Sequence, residues 1–274
     1  PEGYKLLKKY DVKVIFHVFS HKKYLSTTFS KEFLIKTLRR PVPIDKISGT
    51  MMRLDIPFIE KEHEAVLYAD IDVLFMKDIK DGDLPIPKLL SAAPEIERYR
   101  EVSEFFNAGI LYMNVKAMRE KVKLIYEKLS RGVPPSISLF DQGYLVEVCR
   151  NEISRLPDEY NWKPYWGINK EAKIVHFHGI KPGGDYMNSG FDCDKHTFFM
   201  LLAGHERDVS GILFYFRRFF DLIEKDGSSW IDNSVADILE TFSCTLTVKK
   251  VVNSNLKASQ IFRAFLKRFF SRNN

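Results

Sequence analysis

Two aspartates with one residue between them, Asp70 and Asp72, interrupt the otherwise apolar run VLYADIDVLF at residues 66–75. Side chains alternate between the two faces of a strand, so both carboxylates would project to one side where the strand ends. Carboxylate oxygens suit Mg²⁺ and Mn²⁺, and either ion keeps open positions for phosphate oxygens. The pair therefore predicts a divalent-metal site that also receives phosphates. A turn or capping role for the two aspartates is the alternative.

The run IVHFHGIKPGG at residues 174–184 has a composition that suits metal and phosphate binding. His176 belongs to a predicted strand, and His178, Gly179 and Lys181 follow it. An imidazole can complete the coordination of a metal held by carboxylates, while glycine amides and a lysine can approach phosphates. A histidine that only packs at the end of a strand is the alternative.

Two further segments carry polar residues between apolar ones. In FFNAGILYMNV, Asn107 offers both donors and an acceptor, and Gly109 allows close backbone approach, which together suit a sugar hydroxyl. A tight turn stabilised by the asparagine is the alternative. Asp141 and Gln142 begin a predicted helix after a proline-rich loop. There an aspartate is most simply an N-cap, which contributes about 1 kcal/mol.

The elements around these segments alternate between strands and helices. Apolar patterning predicts strands at 12–19, 89–93, 108–114, 153–156 and 174–177, and helices at 31–40, 115–129, 141–150, 211–220 and 260–270. Such alternation indicates an α/β domain with a mixed sheet, and ligands of such sheets bind at the strand ends.

The chain has 274 residues, 45% of them hydrophobic and 14% aromatic, with a net charge of +6. This is the composition of a soluble globular enzyme with one sizeable core, or with one domain and an appendage. The positive charge suits an anionic substrate or an anionic membrane surface. The sequence has no zinc-finger spacing, aromatic RNA-binding signature or long basic recognition helix, so no nucleic-acid partner is predicted.

The three cysteines, Cys149, Cys193 and Cys244, are odd in number and far apart in the sequence. This argues against a disulfide scaffold or a cysteine zinc site, and we predict reduced core residues. The sequence contains neither the roughly 20-residue apolar run of a transmembrane helix nor an opening signal peptide. It begins with Pro1 and passes almost at once into a predicted strand, so we expect upstream residues to be missing.

The last predicted helix, QIFRAFLKRFF at residues 260–270, combines an apolar, aromatic stripe with positive charge. Its basic residues, together with one that follows it, are Arg263, Lys267, Arg268 and Arg272. This pattern predicts a helix that lies in the interface of an anionic membrane. A helix packed on the domain with a solvated basic face is the alternative.

Over residues 10–184, the order of these motifs resembles the glycosyltransferases of family 8, which include glycogenin and bacterial lipopolysaccharide galactosyl- and glucosyltransferases. MMRLDIP looks like the arginine-containing helix of the family, which implies that Arg53 contacts the donor diphosphate or sugar. FNAG looks like its contact to the donor and acceptor sugars at Asn107. DQGYL looks like the Asp-Gln pair that would place Asp141 and Gln142 against the donor sugar ring.

The same resemblance implies a cofactor. VLYADIDVLF looks like the metal-binding strand of the family, so His176 would be the third protein ligand of Mn²⁺ (or Mg²⁺) beside Asp70 and Asp72. Gly179 and Lys181 would hold the diphosphate of the donor.

The segment from NW at residues 161–162 to HFHGIKP fits the closing segment of the family, with departures. His178 stands where the family often has an apolar residue, and we predict a packing or phosphate-side role for it. Gly183 replaces a common tryptophan, which affects the shape of the phosphate loop. No counterpart of the family's first strand and helix precedes the predicted strand at 12–19, so we expect either a fragment or a different mode of base recognition, and the missing start favours a fragment.

The resemblance implies an α/β, mixed-sheet nucleotide-diphospho-sugar transferase (GT-A-like) domain at residues 1–190 and a C-terminal helical extension at residues 191–274. The implied enzyme is a metal-dependent retaining glycosyltransferase that moves a hexose from a UDP-sugar to a glycan, lipopolysaccharide or glycolipid acceptor. Its expected location is cytoplasmic, peripheral at the inner face of the membrane. A metal-dependent nucleotidyltransferase and a non-catalytic nucleotide-sugar or glycan-binding relic are the alternatives.

Overall fold

The computed structural model describes residues 12–38, 41–103, 105–136, 140–178, 182 and 209–225. Contacts within the chain divide it into two compact units. The first unit comprises Pro1–Ala69 and Asp81–Leu156, and the second comprises Asp70–Lys80 and Pro157–Asn274. The predicted domain boundary at residue 190 lies outside the described residues.

Strands and helices alternate along the chain, as predicted. The strands are β1 (Ala65–Ala69), β2 (Val73–Phe75), β3 (Leu90–Pro94), β4 (Phe106–Asn114), β5 (Ile153–Arg155) and β6 (Ile174–His176). The α-helices are α1 (Leu25–Thr28), α2 (Lys31–Leu38), α3 (Ile44–Met51), α4 (Ile56–Ile59), α5 (Val115–Ser130), α6 (Phe140–Cys149) and α7 (Val209–Lys225). Short 3-10 helices are Lys22–Tyr24, Met52–Asp55, Arg150–Glu152, Asp158–Tyr160 and Pro164–Trp166.

The first unit is built on a four-stranded sheet in the order β1-β4-β3-β5. Strand β4 is antiparallel to both β1 and β3, whereas β3 and β5 are parallel. The predicted α/β architecture with a mixed sheet is therefore confirmed. A bulge between Ala92 and Ala93 shifts the register, so that Ala93 pairs with Asn107. Bulges redirect side chains, and this one lies opposite Asn107, a candidate sugar contact in β4.

Helix α5 buries the stripe of apolar residues that the sequence predicts. Its buried side chains are Val115, Met118, Val122, Ile125 and Leu129. Asn114 caps the helix, since its side chain accepts a hydrogen bond from the N–H of Ala117 at 3.1 Å. Apolar residues of β3, β4 and α6 pack into the same core. Cys149 in α6 is a buried free thiol, as predicted, while Cys193 and Cys244 lie outside the described residues.

The prediction of a buried strand at residues 12–19 is wrong. This segment has no strand conformation, although its β-branched and aromatic composition is typical of strands. Four of its apolar side chains are exposed, namely Val12, Ile15, Phe16 and Val18, whereas Phe19 is buried. A strand requires backbone hydrogen bonds to a neighbour. In the described part of the sheet, β1 pairs with β4 alone, so composition without a pairing partner leaves the segment outside the sheet.

The second unit contains an antiparallel ribbon of β2 and β6 together with α7. Apolar side chains of these elements and of neighbouring residues form one buried cluster, which includes Leu74, Trp162, Tyr165, Val175, Phe177, Ile212, Tyr215 and Phe216. A Cβ atom at Gly211 would lie 2.2 Å from the Pro164 carbonyl oxygen and 2.7 Å from the Cα of Gly167. The missing side chain of Gly211 therefore permits the close approach of α7 to the 3-10 helix Pro164–Trp166.

The predicted helix at residues 211–220 is confirmed as part of α7. The predicted helix at 31–40 is observed as α2 up to Leu38, and residues 39 and 40 lie outside the described part. The basic aromatic segment at 260–270 also lies outside it. Within the described ranges, no helix has both the length and the apolarity needed to cross a bilayer.

Candidate functional site

Asp70, Asp72 and His176 lie close together in the second unit, and we call them the metal cluster. The two aspartates lie between the end of β1 and the start of β2, and His176 is the last residue of β6. Val73 pairs with His176 across the ribbon, and the N–H of Phe177 donates to the Asp72 carbonyl at 2.9 Å. Each member offers a ligand atom, and these atoms lie within 4.8 Å of one another. The β2–β6 pairing thus brings the predicted metal ligands together.

The chemistry of the metal cluster fits a divalent cation. Nε2 of His176 lies 3.5 Å from Oδ1 of Asp72. Burial lowers the pKa of His176 below its ordinary value, and the nearby Asp72 carboxylate only partly offsets this effect. The imidazole is therefore neutral at pH 7 and can donate a lone pair to a metal. Two carboxylates with one neutral imidazole form a donor set that suits Mn²⁺ or Mg²⁺.

His176 and His178 each lie close to a polar side chain. Asn161 is completely buried, and its Oδ1 lies 3.2 Å from Nδ1 of His176. The hydroxyl of Tyr165 lies 2.9 Å from Nδ1 of His178. His178 thus lies beside Tyr165 and is not among the three grouped ligands, and its packing or phosphate-side role stays a prediction.

Arg53 lies on the 3-10 helix Met52–Asp55 in the first unit and forms an ion pair with Asp141. Nε of Arg53 is 3.2 Å from Oδ2 of Asp141, and the two side chains are only 10% and 7% exposed. The guanidinium also donates to the carbonyl of Ala108 and lies over the Tyr68 ring, 5.0 Å from its centroid. Burial of a charged group costs free energy unless the group is paired. The ion pair with Asp141 and the other contacts of Arg53 offset that cost.

The capping alternative for Asp141 does not match the structure. Helix α6 begins at Phe140, so Asp141 lies within its first turn, with its carboxylate directed to Arg53. Phe140 has a φ of 37°, in the left-handed region that residues other than glycine rarely adopt. Strain of this kind persists where the surrounding structure imposes it, often at functional sites. Here it directly precedes Asp141 and Gln142.

Asn107 and Gln142 meet at one carboxylate, and we call Glu95, Asn107 and Gln142 the amide cluster. Nδ2 of Asn107 and Nε2 of Gln142 each donate to Oε2 of Glu95 at 3.0 Å. Oδ1 of Asn107 accepts from the N–H of Gly109 at 3.1 Å, and Gln142 also donates to the carbonyl of Phe106. The amide groups are therefore oriented by internal contacts, with Glu95 at their centre.

Sequence reasoning missed Glu95, because the signal depends on which strands pair. Glu95 directly follows β3, the strand that pairs with β4, which carries Asn107. A carboxylate at the end of a neighbouring strand is expected to reach such a residue only once the pairing of β3 with β4 is known.

The structure groups most of the predicted site residues. It brings together Asp70, Asp72 and His176, it pairs Arg53 with Asp141, and it joins Asn107 to Gln142 through Glu95. The predicted phosphate contacts Gly179 and Lys181 lie outside the described residues.

Comparison with known proteins identifies the family. The model of the glycosyl transferase family 8 matches residues 5–185, which is more than half of the chain. The chain therefore belongs to glycosyl transferase family 8. The prediction of a glycosyltransferase is confirmed, and family membership agrees with the predicted GT-A-like class. A search of curated proteins finds no match.

Solved structures of glycosyltransferases share a limited likeness with this chain. The galactosyltransferase LgtC in complex with donor and acceptor sugar analogues is 17% identical, with a TM-score of 0.38, over 60% of this chain and 68% of that chain. Apo GlyE of Streptococcus pneumoniae TIGR4 is 21% identical, with a TM-score of 0.39, over 56% of this chain and 43% of that chain. Apo mouse xyloside xylosyltransferase 1 is 16% identical, with a TM-score of 0.40, over 64% of this chain and 79% of that chain.

Proposed function

We propose that this protein is a metal-dependent, retaining hexosyltransferase that uses a UDP-sugar as donor and a glycan, lipopolysaccharide or glycolipid as acceptor. The observation that carries the proposal is the metal cluster, in which Asp70, Asp72 and His176 offer ligand atoms within 4.8 Å of one another. In a chain of this family, a divalent-metal site of that composition supports a donor substrate that carries a nucleoside diphosphate.

Asp70, Asp72 and His176 would hold Mn²⁺ or Mg²⁺ together with the donor diphosphate. When bound, the ion supplies positive charge that offsets the negative charge growing on the leaving diphosphate. The neutral state of His176 keeps its lone pair available for this role. Gly179 and Lys181 are proposed as further diphosphate contacts through a backbone amide and an ammonium group.

Asn107, Asp141 and Gln142 are proposed to contact the donor sugar, and Arg53 is proposed to contact the donor diphosphate or sugar. The ion pair of Arg53 with Asp141 and the contacts of both amides with Glu95 support this assignment, because a binding site benefits from side chains that are already oriented. The Asp141 carboxylate would stabilise positive charge on an oxocarbenium-like sugar.

Retention is inferred from family membership and requires attack on the face from which the diphosphate leaves. The bond between the anomeric carbon and the phosphate oxygen breaks, and the acceptor oxygen bonds to the same face of that carbon. The departing phosphate oxygen takes the proton of the acceptor hydroxyl. A covalent intermediate on Asp141 is the alternative, and an Asp141→Asn variant with full turnover would exclude it.

The experiment is product analysis with a panel of UDP-sugars in the presence of Mn²⁺. A hexosyltransferase releases UDP, by transfer or by slow hydrolysis, and NMR of the transferred sugar shows retention at the anomeric carbon. Release of sugar 1-phosphate, with the uridylyl group transferred to an acceptor, would indicate a nucleotidyltransferase instead. A protein that binds a UDP-sugar but releases neither product would be a binding relic.

The composition of the segment at 260–270 supports a lipid-linked or lipopolysaccharide acceptor at the cytoplasmic face of a membrane. The proposal rests on its basic residues and aromatic stripe in the sequence. Deletion of residues 260–274 should release the protein from vesicles that contain anionic lipid, while a UDP-sugar is still hydrolysed. Unchanged vesicle binding after the deletion would contradict this part of the proposal.

A further inference from the structure

The environment of His176 assigns a role to Asn161, a residue that the proposed chemistry does not use. Asn161 is 0% exposed, and its Oδ1 lies 3.2 Å from Nδ1 of His176. Both residues belong to the second unit. A buried amide that contacts a metal-ligand candidate is suited to control the state of that ligand.

Backbone pairing fixes Asn161 opposite the histidine ring. The neighbouring Trp162 donates its N–H to the Ile174 carbonyl at 2.9 Å and accepts from the N–H of His176 at 2.8 Å. These hydrogen bonds extend β6 with a parallel bridge between Trp162 and Val175. Asn161 is therefore held in place by main-chain contacts on the side of β6 away from its antiparallel partner β2.

The chemistry of the contact determines where the imidazole proton lies. An amide oxygen only accepts hydrogen bonds, so the 3.2 Å contact with Oδ1 of Asn161 is a hydrogen bond when Nδ1 of His176 carries the hydrogen. A neutral imidazole has one N–H, which leaves Nε2 with a lone pair. Nε2 is the nitrogen 3.5 Å from Oδ1 of Asp72. The lone pair on Nε2 is then available to a cation held between the imidazole and the Asp72 carboxylate.

We propose that Asn161 is a positioning residue that holds His176 in the tautomer protonated at Nδ1, so that Nε2 is directed to the metal. The second half of this statement rests on the proposed function, because it requires a metal at Asp70, Asp72 and His176. The first half concerns the metal-free protein and can be tested separately.

The tautomer is measured by ¹⁵N NMR of the histidine ring in the metal-free protein at pH 7.5, with His176→Gln used to assign the signals. We expect a protonated Nδ1 and an unprotonated Nε2. A hydrogen on Nε2 in the metal-free protein would overturn the proposal. In Asn161→Leu, which has similar volume but no acceptor, the ring should shift toward the Nε2-protonated form.

The consequence for metal binding is measured by calorimetric titration of Mn²⁺ alone. Asn161→Leu should weaken Mn²⁺ binding about 10- to 100-fold, which is the usual effect of removing a partner of a ligating histidine. Asn161→Asp keeps an acceptor at the same position and should retain most of the affinity. The exposed Asn151 provides a matched control, since Asn151→Leu should leave the affinity unchanged.

The outcomes separate this proposal from the proposed function. If wild type and His176→Ala bind Mn²⁺ equally weakly, the metal site of the proposed function fails, and the tautomer measurement still decides the role of Asn161. If wild type binds Mn²⁺ and a folded Asn161→Leu binds it equally well, the proposed function survives and the role of Asn161 is refuted. If Asn161→Leu does not fold, the wild-type tautomer and the affinity of Asn161→Asp decide the question.

Discussion

Arg53 and Asp141 form a buried ion pair, with Nε of the arginine 3.2 Å from Oδ2 of the aspartate and both side chains at most 10% exposed. Two residues that the sequence assigns separately to the donor are therefore one electrostatic unit. Removal of either partner leaves the other charge buried without its counter-charge. The consequence is that substitutions at Asp141 change stability as well as chemistry.

Asp141→Ala should lower the free energy of unfolding by about 3 kcal/mol, because Arg53 loses its buried partner. Arg53→Met should cost a similar amount, and the double variant should cost clearly less than the sum of the two. Urea unfolding of the four proteins measures this coupling. Glu120→Ala, in the exposed pair of Glu120 with Lys123, is the control and should cost less than about 1 kcal/mol. Strict additivity at Arg53 and Asp141 would show that the ion pair does not couple them.

Glu95→Gln should reduce kcat for UDP-sugar turnover by about 10-fold or more, since misplaced substrate-binding groups commonly cost that much. Asn107 and Gln142 both donate to the same carboxylate oxygen, Oε2 of Glu95. A glutamine at this position would replace that charged acceptor with a neutral and weaker one. The exposed Glu97 is the control, because Glu97→Gln should leave turnover unchanged. Steady-state kinetics compare the variants, and equal rates for wild type and Glu95→Gln would refute the orienting role.

Protonation of the Asp55 carboxylate should lower the free energy of unfolding in acid. Burial raises the pKa of Asp55, but hydrogen bonds from Tyr126, His17 and Ser20 outweigh it and hold the pKa below its ordinary value. A carboxyl with a lowered folded-state pKa stabilises the fold above its unfolded pKa of about 3.9 and loses that contribution as the pH falls further. Asp55→Asn should therefore cost about 2 kcal/mol at pH 7, and the difference from wild type should narrow below about pH 4.

Unfolding in urea at pH 7 and at pH 3 measures this change for Asp55→Asn and for Asp78→Asn, which replaces an exposed aspartate. The control should stay within about 0.5 kcal/mol of wild type at pH 7. A difference between wild type and Asp55→Asn that is the same at both pH values would contradict the predicted linkage.

Gly211→Ala should destabilise the second unit by about 2 kcal/mol or more, because a new Cβ would overlap the backbone of Pro164 and Gly167. Gly49 in α3 is the matched control, since a Cβ there meets nothing within 4 Å. Gly49→Ala should stabilise by about 0.5 to 1 kcal/mol, the helix preference of alanine over glycine. Thermal unfolding compares the two variants. Equal changes in melting temperature would show that α7 does not depend on this close approach.

The elements with strong local patterns could be predicted from the sequence. The stripe of α5 has apolar residues at helical spacing, and the five predicted positions are the buried ones. The segment at 12–19 has an equally clear strand composition, but a strand also needs a partner, and pairing is not encoded in composition. Local periodicity thus determines single elements, whereas the sheet depends on contacts that periodicity does not report.

The candidate site divides in the same way. Asp70, Asp72 and His176 could be proposed from residue type and motif order, and the β2–β6 pairing brings them together. Glu95 and Asn161 could not be assigned roles, because their contacts join residues far apart in the sequence. Asn161 lies 15 residues before His176, and Glu95 lies 47 residues before Gln142.

The most direct test of the account is the Mn²⁺ dependence of UDP release from a panel of UDP-sugars by wild type, Asp72→Asn and Asp78→Asn. The metal cluster predicts release that requires Mn²⁺, that falls by at least about 100-fold in Asp72→Asn, and that is unchanged in the exposed control Asp78→Asn. Equal release with and without Mn²⁺, or equal rates for wild type and Asp72→Asn, would contradict a metal-dependent glycosyltransferase at this site.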